Sequence, residues 1–275
     1  MDVWIGTSGY SYADWVGDFY PPGTKSAQML PQYSYHFPLV ELNFTFYRPP
    51  TRDMLLRQAD KVPPGFQFVV KLPQSISHEE DPAELAGFRK AVLGLQKRRQ
   101  LLGLLCQLPQ ATHHSKRHLE WLRHLAAALG DLRLAVEFRH RSWAREDLPA
   151  WLAEHGLDLV AVDVPPLPGL YPSGWVQSGS RAYVRLHSRN AANWYRGEKG
   201  RYDYDYTDAA LSEWIEAARS AVDTRETLFL FNNCHRSQAA NNAQRMRTLF
   251  AEEMPQANVI GPFAAPPPAQ GLLFQ

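Results

Sequence analysis

Eight short apolar runs, each closed by a turn signal, recur along this chain, with helix-period segments between most of them. They are VWIGTSG (3–9), LVELNFTF (39–46), FQFVVKLP (66–73), LGLLCQLP (102–109), LRLAVEFRH (132–140), LDLVAVDVP (157–165), AYVRLHS (182–188) and TLFLFNN (227–233). Runs this rich in Val, Leu, Phe and Ile read as parallel strands buried on both faces. The helical period falls on 51–61, 82–99, 115–129, 145–155, 208–222 and 237–250, the last two with Asp208 and Ser237 as expected caps. Alternating strands and helices imply right-handed crossovers and a parallel sheet. Eight units in 275 residues is about 34 residues each, the usual size of a barrel unit. The expected fold is therefore α/β, a single (β/α)8 TIM-type barrel. Its sixth helix is expected to be short or missing, because PPLPGLYPSGWVQSGSR (165–181) is broken by Pro and Gly. The expected domain layout is a barrel over 1–262 and a Pro-rich extended tail over 263–275. No 20–50-residue repeat is present, which argues against a solenoid.

Composition closes off other classes. Hydrophobic residues at 45% against 21% charged can bury a large core, so disorder as the main state is excluded. No apolar run approaches ~18 residues without a charge, so no membrane span is expected. MDVWIGTSGY carries neither a basic segment nor an apolar signal stretch, and the expected location is cytoplasmic. Cys106 and Cys234 lie in or beside apolar runs and suit reduced thiols better than a disulfide framework. A formal charge of +1 argues against a surface that wraps a polyanion as a whole and leaves a local basic site open.

Strand residues alternate between two faces. On that rule Glu41, Asn43 and Thr45 oppose Val40, Leu42, Phe44 and Phe46. Lys71 opposes Val70 and Leu72, and Gln107 opposes Cys106 and Leu108. Glu137 and Arg139 oppose Val136 and Phe138, Asp163 opposes Val162 and Val164, and Arg185 and His187 oppose Val184 and Leu186. The apolar face meets the helices, so the polar face is expected to point into the barrel. Its polar residues crowd toward the C-terminal strand ends, where barrel enzymes keep their active sites. Glu41, Glu137 and Asp163 against Lys71, Arg139 and Arg185 form either a self-compensated network or a site.

In order along the chain, IGTSGYSYADWVGDFYPPG, VELNFTFYRPP, FVVKLPQSISHE, LCQLP, AVEFRHRSW, YVRLHSR and LFLFNNC resemble the domain of unknown function 72 (YecE-like) family. The resemblance runs from residue 4 to about 250. It implies a TIM barrel and brings no established activity. The motif positions it carries over are Gly6, Thr7, Ser8 and Gly9; Glu41 and Asn43; Lys71 and His78; Gln107; Glu137 and Arg139; Asp163; Arg185 and His187; Asn232 and Asn233. This chain has Tyr10 where many relatives have Trp, and Phe44, expected on the outward face, where many have Ser. NNCHRSQAANNA also replaces an acidic ending.

Three chemistries compete for the mouth. Glu41, Glu137, Asp163 and His187 offer oxygen and nitrogen donors for a divalent metal, but three cations in the same layer oppose it, and no metal or other cofactor is expected. The same four residues are the candidates for metal-free acid–base work, with Glu137 and Asp163 on neighbouring strands or Glu41 across the mouth, as in glycoside or small-molecule hydrolysis. The preferred ligand class carries phosphate, nucleic acid included, in a DNA-repair type of role. Lys71, Arg139 and Arg185 supply charge, and Thr7 and Ser8 of the GTSG turn, with its backbone N–H groups, supply a cradle. Asn43, His78, Gln107 and Asn232 join them as substrate contacts. Tyr10, Tyr12, Trp15, Phe19 and Tyr20 follow the first strand. Trp194, Tyr195, Tyr202, Tyr204 and Tyr206 interleave with Arg189, Arg196, Lys199 and Arg201 after the seventh. Trp194 and Tyr195 are the expected stacking contacts for bases or sugars. Catalysis, if present, is expected to be of hydrolase type, phosphodiester or glycosidic. A non-catalytic adaptor that uses the mouth as a docking pocket is the third reading.

The tail ends in Gln270-Gly271-Leu272-Leu273-Phe274, which resembles the Q-L-x-L-F peptides that grip the DNA sliding clamp. Gln270, Leu273 and Phe274 are the expected contacts with that partner, against the alternative of the tail docking on its own barrel.

Overall fold

The computed structural model describes residues 1–265. Eight parallel strands close into a barrel: β1 Asp2–Ser8, β2 Leu39–Leu42, β3 Gln67–Lys71, β4 Leu101–Gln107, β5 Leu134–Glu137, β6 Leu157–Asp163, β7 Arg181–Leu186 and β8 Glu226–Phe231. Each pairs with the next, and β1 pairs with both β8 and β2. A two-residue β9, Asn258–Val259, adds to the start of β1. The helices follow the strands: α1 Ser26–Tyr33; α2 Phe44–Tyr47 and α3 Arg52–Ala59; α4 Gln74–Ser77 and α5 Leu85–Lys97; α6 Lys116–Leu129; α7 Leu148–Glu154; α8 Glu198–Arg201 and α9 Asp208–Ser220; α10 Gln238–Glu253. No helix follows β6, as the Pro and Gly of that segment dictate. No helix among the described residues is long and apolar enough to cross a membrane.

Register fixes which side chains enter the barrel, because paired residues share a face. Ser8 pairs with Glu41, Glu41 with Val69, Lys71 with Leu105, Gln107 with Glu137, Val162 with Arg185, and Arg185 with Leu230. All of these point inward. The alternate set, such as Ile5, Phe68, Val136 and Phe229, meets the helices in one continuous core.

Three local expectations are corrected. In β6 the faces are reversed: Val162 stands beside Arg185 inside the barrel, so Asp163 faces outward to the helix layer. The rule that apolar faces meet helices fails there because Arg189 and Trp214 satisfy Asp163 outside. The second strand stops at Leu42. Asn43 turns helical, and Thr45 Oγ1 donates to the carbonyls of Leu42 (2.9 Å) and Lys71 (2.6 Å), folding FTFY into α2. At the helix starts, Thr207 rather than Asp208 caps α9, its hydroxyl accepting from the Ala210 N–H. Ser237 precedes α10 with φ 61° and no side-chain cap bond.

The base of the barrel is plugged by a second ionic layer. Arg181 reaches Glu226 (3.0 Å), Asp158 (3.5 Å) and the Leu102 carbonyl (3.0 Å). Gly103 leaves room for it, since a Cβ there would lie 3.2 Å from Arg181 Nη1.

Candidate active site at the barrel mouth

A cavity of about 630 Å³ opens at the C-terminal ends of the strands. Nine of the expected site residues line it: Glu41, Asn43, Lys71, His78, Gln107, Arg139, Arg185, Asn232 and Trp194. The floor is a buried ionic cluster centred on Arg185. Its Nε and Nη2 donate to the two oxygens of Glu41 (2.9 and 2.6 Å), Nη1 donates to Glu137, and Nη2 also reaches Ser8 Oγ at 3.2 Å. Tyr183 adds a hydroxyl donor to Glu41 at 2.6 Å. Arg139 pairs with the other Glu137 oxygen. Burial alone would raise the Glu137 carboxyl, yet the guanidinium groups of Arg139 and Arg185 hold it well below the usual carboxylate range. Glu137 is fully buried beneath the cavity rather than on its wall.

His187 is also fully buried there. Asn232 Nδ2 donates to its Nδ1 at 2.9 Å, which puts the proton on Nε2, 3.4 Å from Glu137. Burial, then Arg139, pulls its pKa down to about 3, so the ring is neutral at physiological pH. The expected catalytic set therefore splits. Glu41 lies on the wall, Glu137 and His187 lie under the floor, and Asp163 lies outside the barrel. Asp163 accepts from Arg189 (2.9 Å) and Trp214 Nε1 (2.6 Å), tying the β7 loop to α9.

The GTSG turn does not form the expected anion cradle. Thr7 points outward, and its N–H donates to the Tyr33 hydroxyl at 2.9 Å while its own hydroxyl donates to the Gly9 carbonyl. The Gly9 N–H is already engaged by the Glu41 carbonyl at 2.8 Å. Gly9 has φ 88°, and a Cβ there would lie 2.5 Å from the Tyr12 hydroxyl. Ser8 faces inward but serves Arg185 and does not line the cavity. Tyr195 also lies off it, 59% exposed.

Lys71 occupies a different environment from the arginines. Its Nζ donates to Gln107 Oε1 at 2.8 Å and sits 4.2 Å from the Phe46 ring centroid. No carboxylate among the described residues is within ion-pair distance, the nearby ones being turned to Arg185. Burial, and then Arg185, pulls its pKa down to about 8. His78 packs nearby, its Nε2 3.2 Å from the Gln107 carbonyl, and burial followed by Lys71 lowers its pKa.

Several lining residues were not among those expected at the site. Phe44 and Phe46 were expected on an outward strand face, and α2 turns them into the mouth. Arg201 and Tyr202 come from the basic–aromatic loop after β7. Arg201 donates to the Trp194 carbonyl at 2.9 Å and lies 5.2 Å from the Trp194 ring. The signal for them was the interleaving of Arg with Trp and Tyr, which does not say which members turn inward.

A closed parallel barrel with its polar side chains gathered around a cavity at the C-terminal mouth defines a TIM-barrel protein with a pocket in the position barrel enzymes use. The chain belongs to the family described as "Protein of unknown function DUF72", which it matches over residues 4–270. It is 28% identical over 269 residues to the UPF0759 protein YunF of Bacillus subtilis (strain 168), covering 90% of this chain and 94% of that protein. A DUF72 family structure from Thermotoga maritima superposes with a TM-score of 0.84 at 36% identity, covering 91% of this chain and 99% of that one. One from Enterococcus faecalis V583 gives 0.79 at 25% identity, covering 90% and 94%.

Proposed function

We propose that the mouth binds a small ligand carrying a phosphate group. The observation that supports this is a charge imbalance. Lys71, Arg139, Arg185 and Arg201 line the cavity against Glu41, with Glu137 beneath, and both carboxylates are engaged by Arg185. Lys71 and Arg201 face the cavity with no carboxylate partner among the described residues. Unneutralised cations beside a half-closed cavity favour an anion, and guanidinium geometry favours phosphate. The volume, about 630 Å³, suits a sugar phosphate or a mononucleotide.

Carbohydrate hydrolysis by a carboxyl pair is disfavoured. Glu137 is held ionised by two guanidinium groups, so it does not supply the protonated acid that such a reaction needs. Among the described residues no group of three or more His, Cys, Asp or Glu is arranged to hold a metal ion.

Calorimetry with inorganic phosphate, ribose 5-phosphate and a mononucleotide, each set against its uncharged counterpart, tests the reading. The phosphorylated ligands bind, and Arg201→Met weakens them at least about tenfold, the loss of one charge-assisted contact. Equal affinity for the uncharged counterparts would overturn it. A single-stranded oligonucleotide whose affinity falls steeply with salt would extend the site to nucleic acid and a repair-type role. Release of product from the bound ligand separates a hydrolase from an adaptor. Gln270, Leu273 and Phe274, which carry the sliding-clamp expectation, lie outside the described residues. Retention of the full chain on immobilised clamp, with loss for a chain ending at Ala269, is the result that reading requires.

A further inference from the structure

We infer that Lys71 is an amine nucleophile that condenses with an aldehyde or ketone carbonyl of the phosphorylated ligand, an inference resting on the phosphate reading above. Its placement carries the inference. Lys71 ends β3, points inward by register and lines the cavity. Its amine is held by one neutral acceptor, Gln107 Oε1, against the face of Phe46. A lysine that served only to balance charge would sit on a carboxylate, and here Glu41 and Glu137 are both turned to Arg185. The charged and titratable groups facing it are Arg185 on β7, Glu41 on β2, Glu137 and Arg139 on and after β5, and His78 after α4. A lysine desolvated beside other cations is an activated nucleophile. With the amine pulled down to about 8, roughly a quarter is unprotonated at pH 7.5, against about a thousandth for an ordinary surface lysine.

The step balances without an oxidant or reductant. The amine lone pair forms a bond to the carbonyl carbon, and the carbonyl oxygen takes a proton to give a carbinolamine. The nitrogen releases that first proton; the oxygen takes a further proton from solvent and leaves as water, and the nitrogen, keeping its last proton, remains as a protonated imine that withdraws electrons from the adjacent carbon. Arg201, which lines the cavity with no carboxylate partner among the described residues, is the group left to hold the phosphate, since Arg139 is engaged by Glu137.

The test uses the unmodified full chain, whose six other lysines provide internal controls. Glyceraldehyde 3-phosphate is added with sodium cyanoborohydride at pH 7.5, and reduced adducts are mapped by peptide mass spectrometry. The expected result is an adduct on Lys71 forming about a hundredfold faster than on the other lysines. Inorganic phosphate suppresses it, and its rate rises as pH increases through about 8. Labelling spread over the lysines in proportion to their exposure overturns the inference. So does an unlabelled Lys71 in protein that binds the phosphate in calorimetry. Equal labelling of Lys71 by unphosphorylated glyceraldehyde supports the nucleophile and overturns the phosphate reading instead. Phe46→Leu, which keeps the wall apolar but removes the ring face that stabilises the ammonium, retains the Lys71 adduct with its profile shifted to lower pH.

Discussion

At the scale of single residues, the Glu41–Arg185–Glu137 cluster shows two of the acids expected to do chemistry buried and held by one arginine. Removing one member would leave another charge buried without its counterpart, a strongly destabilising change. His187 gives this cluster a measurable pH signature. Its folded pKa of about 3 lies below the unfolded value of about 6.5, so the unfolded chain takes the proton first. The stability that neutral His187 contributes is complete above about pH 6.5 and is lost as pH falls toward 3. By pH 5 the loss is about 2 kcal/mol at 1.36 kcal/mol per unit. Urea unfolding of the wild type and of His187→Gln between pH 7.5 and 5 checks this. The wild type loses the extra stability over that range, and the variant lacks this component of the slope.

At the scale of elements, most strands and long helices were legible because burial on both faces and a 3.6-residue period are local patterns. The short ones were not. FTFY alternates as a strand would, and only the two bonds from Thr45, one of them to the neighbouring strand, turn it into α2. The helix caps show the same division between what is near in sequence and what is shaped by the fold. Thr207 makes a cap bond to Ala210, so Thr207→Ala costs about 1 kcal/mol in chemical denaturation. Ser237 occupies the same formal position, but its side chain makes no cap bond to α10. Its hydroxyl is buried without a partner, so Ser237→Ala lacks the cost of losing a cap and leaves stability unchanged or higher in the same measurement.

At the scale of the whole molecule, the barrel has an ionic cluster at each end, and only one borders the cavity. Arg181 with Asp158 and Glu226 at the base closes the barrel far from the mouth, so polar residues facing inward do not by themselves mark a site. Arg181→Met leaves half-buried Asp158 and Glu226 without the guanidinium they share and lowers stability by about 1–3 kcal/mol. Ligand affinity at the mouth stays unchanged, as expected for separated sites. Arg201→Met does the reverse. Thermal melts combined with calorimetry on both variants check the separation.

The eight-unit barrel, the missing sixth helix and the polar mouth were determined by the sequence alone. Strand and helix periods, and the Pro and Gly that break them, act between residues a few positions apart. Only the tertiary structure decided which polar residues reach the cavity. Asp163 fits the alternation as well as Glu41 does, yet closure of the barrel sets a register that faces it outward, to Trp214. Lys71 differs from Arg139 and Arg185 for the same reason. Its amine is left on Gln107 because the carboxylates that could neutralise it are taken by an arginine more than a hundred residues further along the chain. Competition among charges for partners is settled by distance in space, which the order of residues does not record.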